Sequence, residues 1–176
     1  MELETRRLRL RPLRDDDAPA IASGINNLNV SRNLARVPFP YHMADAQAFI
    51  ALQRTFDPRT KVCGIAFRCA PDELIGVISY EWRAHEPFEL GYWLRECCWG
   101  LGLMKEAAAA MVGQAMSQAG ASELQAYYHD GNVASARILQ GLGFEITGQR
   151  LSFSLAQGRD VPSTQLRLAQ QKSRAS

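Results

Sequence analysis

The sequence has no long apolar run and few cysteines. No stretch approaches the roughly 20 apolar residues that a bilayer-spanning helix needs, and the first residues do not show the pattern of a signal peptide. The four cysteines lack the short spacing of metal sites, and the neighbours Cys97 and Cys98 would form only a strained disulfide. We therefore expect a cytoplasmic protein with reduced thiols, no metal and no membrane contact.

The sequence also lacks an excess of charge of either sign. Its 176 residues include 20 basic and 18 acidic side chains, for a net charge of +2, which is too balanced for an extended nucleic-acid surface. A hydrophobic content of 47% suits one compact domain. We expect that domain to occupy residues 1–170, with residues 171–176 as a loose polar tail. We also expect a monomer or a homodimer that binds no nucleic acid.

Arginines alternate with leucines near the start of the chain. Arg7, Arg9 and Arg11 flank Leu8 and Leu10, which is the period of a strand with one buried face. The pattern predicts a first strand whose leucines face the core and whose arginines lie in solvent.

The most informative stretch joins a predicted strand to a predicted helix through glycines. Phe88–Leu94 has the aromatic and branched composition of a buried strand. From Leu103 onward, apolar residues repeat at helical spacing at Met104, Ala108, Met111, Ala115 and Ala119. Between the two lies Gly100-Leu101-Gly102, where unpaired N–H groups at the helix start and small residues favour a bulky anion. The stretch predicts a site for a phosphate-bearing ligand.

Two common phosphate-binding motifs do not fit this turn. A P-loop ends in Gly-Lys-Ser or Gly-Lys-Thr, whereas Leu103 and Met104 follow Gly102. A dinucleotide fingerprint requires a third small residue, and Lys105 stands at its position. Nucleoside triphosphates and dinucleotides are therefore disfavoured as ligands.

Four segments in order resemble the acetyl-CoA motifs of the GNAT N-acetyltransferase superfamily. They are residues 89–94, 99–107, 132–139 and 141–144. Residues 4–12 and 74–76 are similar to the RimJ/RimL-type branch, which contains ribosomal-protein N-terminal acetyltransferases. The resemblance covers nearly the whole chain. It implies an acetyl-CoA-dependent N-acetyltransferase whose acceptor is a protein N-terminus or a small primary amine, and no motif narrows the acceptor further.

The order of predicted elements describes an α+β domain. Helices are expected at residues 15–24, 42–53, 103–119 and 132–140, and strands at 8–11, 61–69, 74–82, 88–94, 123–128, 144–150, 151–156 and 161–168. Turns are expected at residues 70–73 and 157–158. The result is a single domain with a mixed, largely antiparallel sheet and helices on both faces. The resemblance adds a splayed cofactor cleft between the strand at 88–94 and the strand at 123–128.

The resemblance places the acetyl-CoA site at the glycine turn and at the helix after the strand at 123–128. Its expected cofactor-binding residues are Leu94, Trp99, Gly100, Leu101, Gly102, Leu103, Met104, Asn132, Ser135 and Arg137. Asn132 also suits the N-cap of its helix, and Arg137 also suits a solvated helix face.

Acyl transfer to an amine needs a base for the amine proton and a proton donor for the departing thiolate. Glu89 is the expected base because it is a carboxylate on a largely apolar strand beside the turn, and because the RimJ/RimL-type branch has an acid there. The alternative is a strand-end carboxylate paired to an arginine. Ser135 is the expected acid by resemblance to the branch, and the alternative is a serine that satisfies a helix N–H.

Three residues depart from the family's pattern. Trp99 stands where the turn usually has glutamine or arginine, Met104 where it has a small residue, and Leu139 where many members carry a tyrosine acid. These departures motivate an alternative in which the chain is a non-catalytic acyl-CoA-binding or regulatory domain on the same fold. A structural domain without affinity for CoA is a third possibility.

Overall fold

The computed structural model describes residues 2–169, which form an eight-stranded sheet with five α-helices. The strands are β1 (Leu3–Glu4), β2 (Leu8–Arg11), β3 (Lys61–Phe67), β4 (Ala70–Glu81), β5 (Phe88–Leu94), β6 (Glu123–His129), β7 (Glu145–Ser154) and β8 (Arg159–Ala169). The helices are α1 (Ala18–Ile25), α2 (Leu28–Ser31), α3 (Met43–Gln53), α4 (Leu103–Ser117) and α5 (Val133–Gln140). Short 3-10 turns at Asp15–Asp17 and Glu96–Cys98 precede α1 and the glycine turn.

The sheet opens at one place, between β5 and β6. The strand order is β1-β2-β3-β4-β5-β6-β8-β7, and neighbours are antiparallel except for the parallel pair β5 and β6. That pair is joined only where Phe88–Leu90 meets Leu124–Ala126, and beyond Leu90 the two strands separate. The predicted α+β fold and its splayed cleft are therefore confirmed.

Hydrophobic cores cover both faces of the sheet, as expected. α4 packs on one face, where the spacing-predicted residues Met104 and Met111 are buried. α1 and α3 pack on the other face, where Ile21 and Ile50 are buried with Trp93. The cleft between β5 and β6 therefore has a helical layer on each side.

Side chains of β5 alternate between these two faces, as strand geometry requires. Leu90 and Leu94 belong to the α4 core, whereas Trp93 belongs to the core of α1 and α3. Glu89 shares the face of Trp93, and Tyr92 shares the face of Leu90. A molecule that enters the cleft therefore meets Glu89 from one face and Tyr92 from the other.

The first long hairpin turns earlier than predicted. β3 ends at Phe67, which pairs with Ala70, so the chain reverses at residues 68–69 rather than at 70–73. The register of β3 and β4 shifts on either side of Ala66, just before this reversal. The proline and acidic residues that suggested a turn lie instead at the exposed start of β4.

The last hairpin also differs from the prediction. The sequence predicted a break in the strand at residue 150. In the structure β7 is one continuous strand, because its pairing with β8 extends through Arg150 and Leu151 without interruption. The turn at residues 155–158 includes Gly158, which has a φ of +61° and was expected in the turn. α4 ends at Ser117, two residues before the predicted Ala119.

Arg11 is buried, which corrects the expectation that the arginines of the first strand lie in solvent. Its side chain is 1% exposed, and its guanidinium donates to both carboxylate oxygens of Asp17, at 2.7 and 2.8 Å. Asp17 also accepts from the backbone N–H of Arg14, and its hydrogen bond raises the pKa of Arg11. Strand alternation misses this pair because the partner lies on the following 3-10 turn.

The predicted boundary at residue 170 and the predicted tail at 171–176 lie outside the described residues. Within residues 2–169, the longest helix is α4, with 15 residues. No helix in that range is long and apolar enough to cross a membrane.

Candidate active site

A cavity of 1290 Å³ occupies the cleft between β5 and β6. Its wall runs from the glycine turn, past the separated strands, to the start of α5, and continues toward α2 and α3 on the other face. The expected acetyl-CoA residues contribute to this wall, with the exceptions of Leu101 and Arg137. Both of these side chains are exposed to solvent outside the cavity.

The glycine turn presents unpaired N–H groups. Gly100 and Gly102 have φ values of +75° and +71°, in the left-handed region that strains any other side chain. Gly102 is the N-cap of α4, and no hydrogen bond within residues 2–169 uses the N–H of Leu103, Met104 or Lys105. These groups, together with the positive end of the helix dipole, can receive an anion.

Neither large residue at the turn fills the cavity. Trp99 Nε1 donates to the backbone carbonyl oxygen of Leu94 at 2.8 Å, which ties the turn to the end of β5. Met104 is 6% exposed, and its side chain packs in the α4 core. The departures that motivated a non-catalytic domain therefore leave the cleft open.

Two cations near the turn differ in what they face. Arg7 donates to Glu106 at 2.8 Å and to the carbonyl oxygen of Leu101 at 3.0 Å. Burial disfavours the charge on Glu106, but hydrogen bonds from Thr5 and Arg7 outweigh burial and lower the pKa of Glu106 to about 2. The adjacent Lys105 has no ion pair within residues 2–169, and it lines the cavity.

Glu89 lies on the cavity wall among charged side chains. Its carboxylate is 3.5 Å from a nitrogen of Arg83 and 3.9 Å from one of Arg36. Both arginines form their hydrogen bonds with Glu81 instead, at 3.3 and 2.9 Å. Glu89 therefore has two arginines within ion-pair distance, as its alternative interpretation expects, but the arginine hydrogen bonds go to Glu81. No hydrogen bond within the described part of the chain occupies the Glu89 side chain.

Ser135 and Asn132 lie at the start of α5, and both line the cavity. Asn132 Oδ1 accepts from the backbone N–H of Ser135 at 3.1 Å, so Asn132 is the N-cap that its residue type predicts. The Ser135 hydroxyl therefore does not cap this helix. Leu139 is 1% exposed within the α4 core, and its position offers no acid.

Tyr92 carries a feature that the sequence does not reveal. Its hydroxyl is buried and has no hydrogen-bond partner within residues 2–169, although its ring lines the cavity. Burial raises the pKa of Tyr92 to about 12, and the neighbouring Ser135 side chain offsets part of that rise. From the sequence, Tyr92 looks like any core aromatic, because composition does not show which side chain of a strand borders a cleft.

The strands leave open space between these groups. A methyl group added at Gly91 would have one neighbour within 4 Å, the Ser79 hydroxyl oxygen at 3.5 Å. The cleft thus combines an anion site, a carboxylate on one face and two hydroxyls on the other. These groups suit acyl transfer from a phosphate-bearing carrier, so the fold and the site together are those expected of an acyltransferase.

Comparison with known proteins gives the family. Residues 7–145 match the model of the acetyltransferase (GNAT) domain. The chain is 33% identical over 153 residues to the uncharacterized N-acetyltransferase YoaA of Bacillus subtilis (strain 168), across 83% of this chain and 84% of that relative. The chain therefore belongs to the GNAT acetyltransferase family, whose acetyl donor is acetyl-CoA, and it is an acetyltransferase.

Solved structures share the fold at low sequence identity. A GNAT-family acetyltransferase from Bacillus anthracis superposes with a TM-score of 0.82 at 15% identity, across 98% of this chain and all (100%) of that one. RimL, a ribosomal-protein α-N-acetyltransferase in complex with coenzyme A, superposes with a TM-score of 0.77 at 19% identity, across 96% and 98% of the two chains. At these identities the likeness is one of fold.

Proposed function

We propose that the protein is a RimJ/RimL-type N-acetyltransferase that moves the acetyl group of acetyl-CoA to a primary amine. The acceptor is a protein N-terminal α-amine or the amine of a small molecule. The observation that carries this proposal is the continuous cavity from the glycine turn to Glu89. A long acyl carrier can bind at the end with the glycine turn, and the acceptor amine can bind at the end with Glu89. We further propose that the enzyme is cytoplasmic, acts as a monomer or homodimer, and has its catalytic domain within residues 1–170.

The turn and the start of α5 fit acetyl-CoA. The N–H groups of Leu103, Met104 and Lys105 would bind the pyrophosphate, with the Lys105 ammonium as a counter-charge. The side-chain amide of Asn132 has its N–H₂ group available to the pantetheine arm, because only its oxygen serves the helix cap. The thioester would then lie where β5 and β6 separate.

Catalysis follows from the groups on the two faces. Glu89 takes a proton from the acceptor ammonium, and the free amine attacks the thioester carbonyl carbon. The attack gives a tetrahedral intermediate whose nitrogen carries one extra proton, and this proton passes to water. The carbon–sulfur bond then breaks, and its electron pair remains on sulfur. Ser135 donates its proton to that sulfur, and its oxygen regains a proton from water. The products are the acetylated amine and CoA.

Thermal unfolding with and without acetyl-CoA tests the proposed donor site. A ligand at about 100 times its dissociation constant stabilises the native state by about 2.7 kcal/mol, which corresponds to a rise in Tm of roughly 5–10 °C for a chain of this size. An unchanged Tm at saturating acetyl-CoA would overturn the proposed acetyl-CoA site. A panel of peptides and small amines, scored by release of free thiol, then identifies the acceptor class.

Lys105→Met is expected to weaken CoA binding, because it removes a cation that lines the cavity while keeping an unbranched side chain. Because Lys105 is exposed, one such ionic contact is worth up to about 1 kcal/mol, so the dissociation constant measured by calorimetry should rise by up to about 5-fold, and the loss should shrink at high salt. The matched control is Arg137→Met, which removes a nearby cation that lies outside the cavity. An equal loss in both variants would contradict a specific role for Lys105 and favour the sequence-based expectation for Arg137.

A further inference from the structure

The buried hydroxyl of Tyr92 is a polar group of the cleft that the reaction described above leaves unused. A buried tyrosine hydroxyl normally finds a partner, because an unpaired one forfeits its hydrogen bonds to water. Tyr92 has none within residues 2–169, yet it borders the cavity on the same face as Ser135. A buried hydroxyl of this kind on the wall of a cavity is available for a hydrogen bond during function.

Ser135 is the polar side chain that lies beside it. The Ser135 hydroxyl serves no helix N–H, because Asn132 caps α5, so its lone pairs and its proton are both available. A serine alone is a weak acid. A donor to its oxygen would stabilise the negative charge that develops there as its proton moves to a leaving group.

We propose that Tyr92 is a positioning residue whose hydroxyl donates to Ser135 Oγ, which turns the serine proton toward the departing CoA sulfur and polarises it. This inference rests on the proposed function, since it assumes that Ser135 serves the leaving thiolate. Tyr92 keeps its own proton throughout. The serine proton goes to sulfur, and water restores it. Glu89 works from the opposite face, so that the amine arrives on one side of the sheet and the thiolate leaves on the other.

A double-mutant cycle with Tyr92→Phe and Ser135→Ala tests the inference. Tyr92→Phe should lower kcat by roughly 10-fold or more with little change in KM for acetyl-CoA, as expected for loss of assistance to proton transfer. In the Ser135→Ala background the same substitution should change kcat by less than about 2-fold, because the two residues act as a unit. Equal factors in both backgrounds, or full activity of Tyr92→Phe, would overturn the inference.

The thermal stability of Tyr92→Phe distinguishes a positioning role of the hydroxyl from a role in packing. Tyr92→Phe keeps the ring and removes only an unpaired hydroxyl, so Tm should stay the same or rise slightly. The control is Tyr80→Phe, a ring on the neighbouring strand β4 that is buried against Phe88 and does not line the cavity; kcat should not change in this variant. A fall in Tm for Tyr92→Phe that accounts for the lost activity would assign the residue a structural role instead.

A readout without an acceptor distinguishes failure of this inference from failure of the proposed function. The ultraviolet absorbance of the CoA thiolate reports the pKa of the bound thiol, which Tyr92→Phe and Ser135→Ala should both raise. If both substitutions raise the thiol pKa but wild-type protein acetylates no amine, the interaction between Tyr92 and Ser135 is supported and the proposed function fails. If wild-type protein acetylates amines and the thiol pKa is unchanged by both substitutions, only the inference about Tyr92 fails.

Discussion

Replacement of Glu89 by glutamine is expected to lower kcat by about 10²–10⁴-fold, the usual contribution of a positioned general base. Glutamine has the same shape but accepts no proton from the ammonium, so only the small unprotonated fraction of the amine can react. Arg36 and Arg83 keep their hydrogen bonds to Glu81, and the fold should therefore survive. Affinity for acetyl-CoA should be unchanged, because the turn lies at the other end of the cavity.

The control for this experiment is Glu123→Gln. Glu123 is also a strand carboxylate, and it lies 3.4 Å from Arg167, but it is not on the cavity wall. Its replacement should leave kcat within a factor of about two, because surface ion pairs are worth about 0–1 kcal/mol. Comparable losses in the two variants would show that charge on the sheet matters in general and that Glu89 is not the base.

The pH profile gives a second, independent reading of Glu89. Without a base, the rate should depend on the fraction of acceptor that is already deprotonated, so log kcat/KM for Glu89→Gln should rise with a slope near one up to the pKa of the amine. The defect should therefore diminish as the pH increases. A defect that stays constant with pH would indicate that Glu89 binds or orients the acceptor and does not remove its proton.

The sequence was sufficient to predict the part of the site that is built from residues close together along the chain. The strand, the glycine turn and the start of α4 are contiguous, and the φ values of Gly100 and Gly102 follow from the turn that residue type predicts. The cap at Asn132 is local for the same reason. Sequence motifs therefore locate the glycine turn, which is the candidate anion site, and the cleft beside it.

The rest of the site depends on contacts between distant segments, which no local pattern encodes. Arg36 and Arg83 donate their hydrogen bonds to Glu81 and lie within ion-pair distance of Glu89, because a loop after α2 and the end of β4 converge on one edge of the cavity. Glu106 on α4 pairs with Arg7, which lies far away in the sequence near the start of the chain. Side-chain competition of this kind decides which charges remain available to a ligand.

Arg11→Met should be the most destabilising of the substitutions considered, because it leaves the Asp17 carboxylate buried without its ion partner. Asp17 is 3% exposed, and breaking a buried pair by removal of one member typically costs about 3–5 kcal/mol. For a chain of this size the loss corresponds to a fall in Tm of roughly 6–20 °C. Denaturant unfolding at neutral pH measures it directly.

The neighbouring Asp15 provides a matched comparison within the same 3-10 turn. It pairs with Arg54 at 2.7 Å, but the two side chains are 78% and 68% exposed, so Asp15→Asn should change stability by less than about 0.5 kcal/mol. The double variant Arg11→Met/Asp17→Asn should recover part of the loss, since asparagine is neutral and can still accept from the N–H of Arg14. If Arg11→Met costs no more than Asp15→Asn, burial does not make this pair costly to break. In that case the alternating leucines and arginines of β2 would stabilise this strand without the buried ion pair.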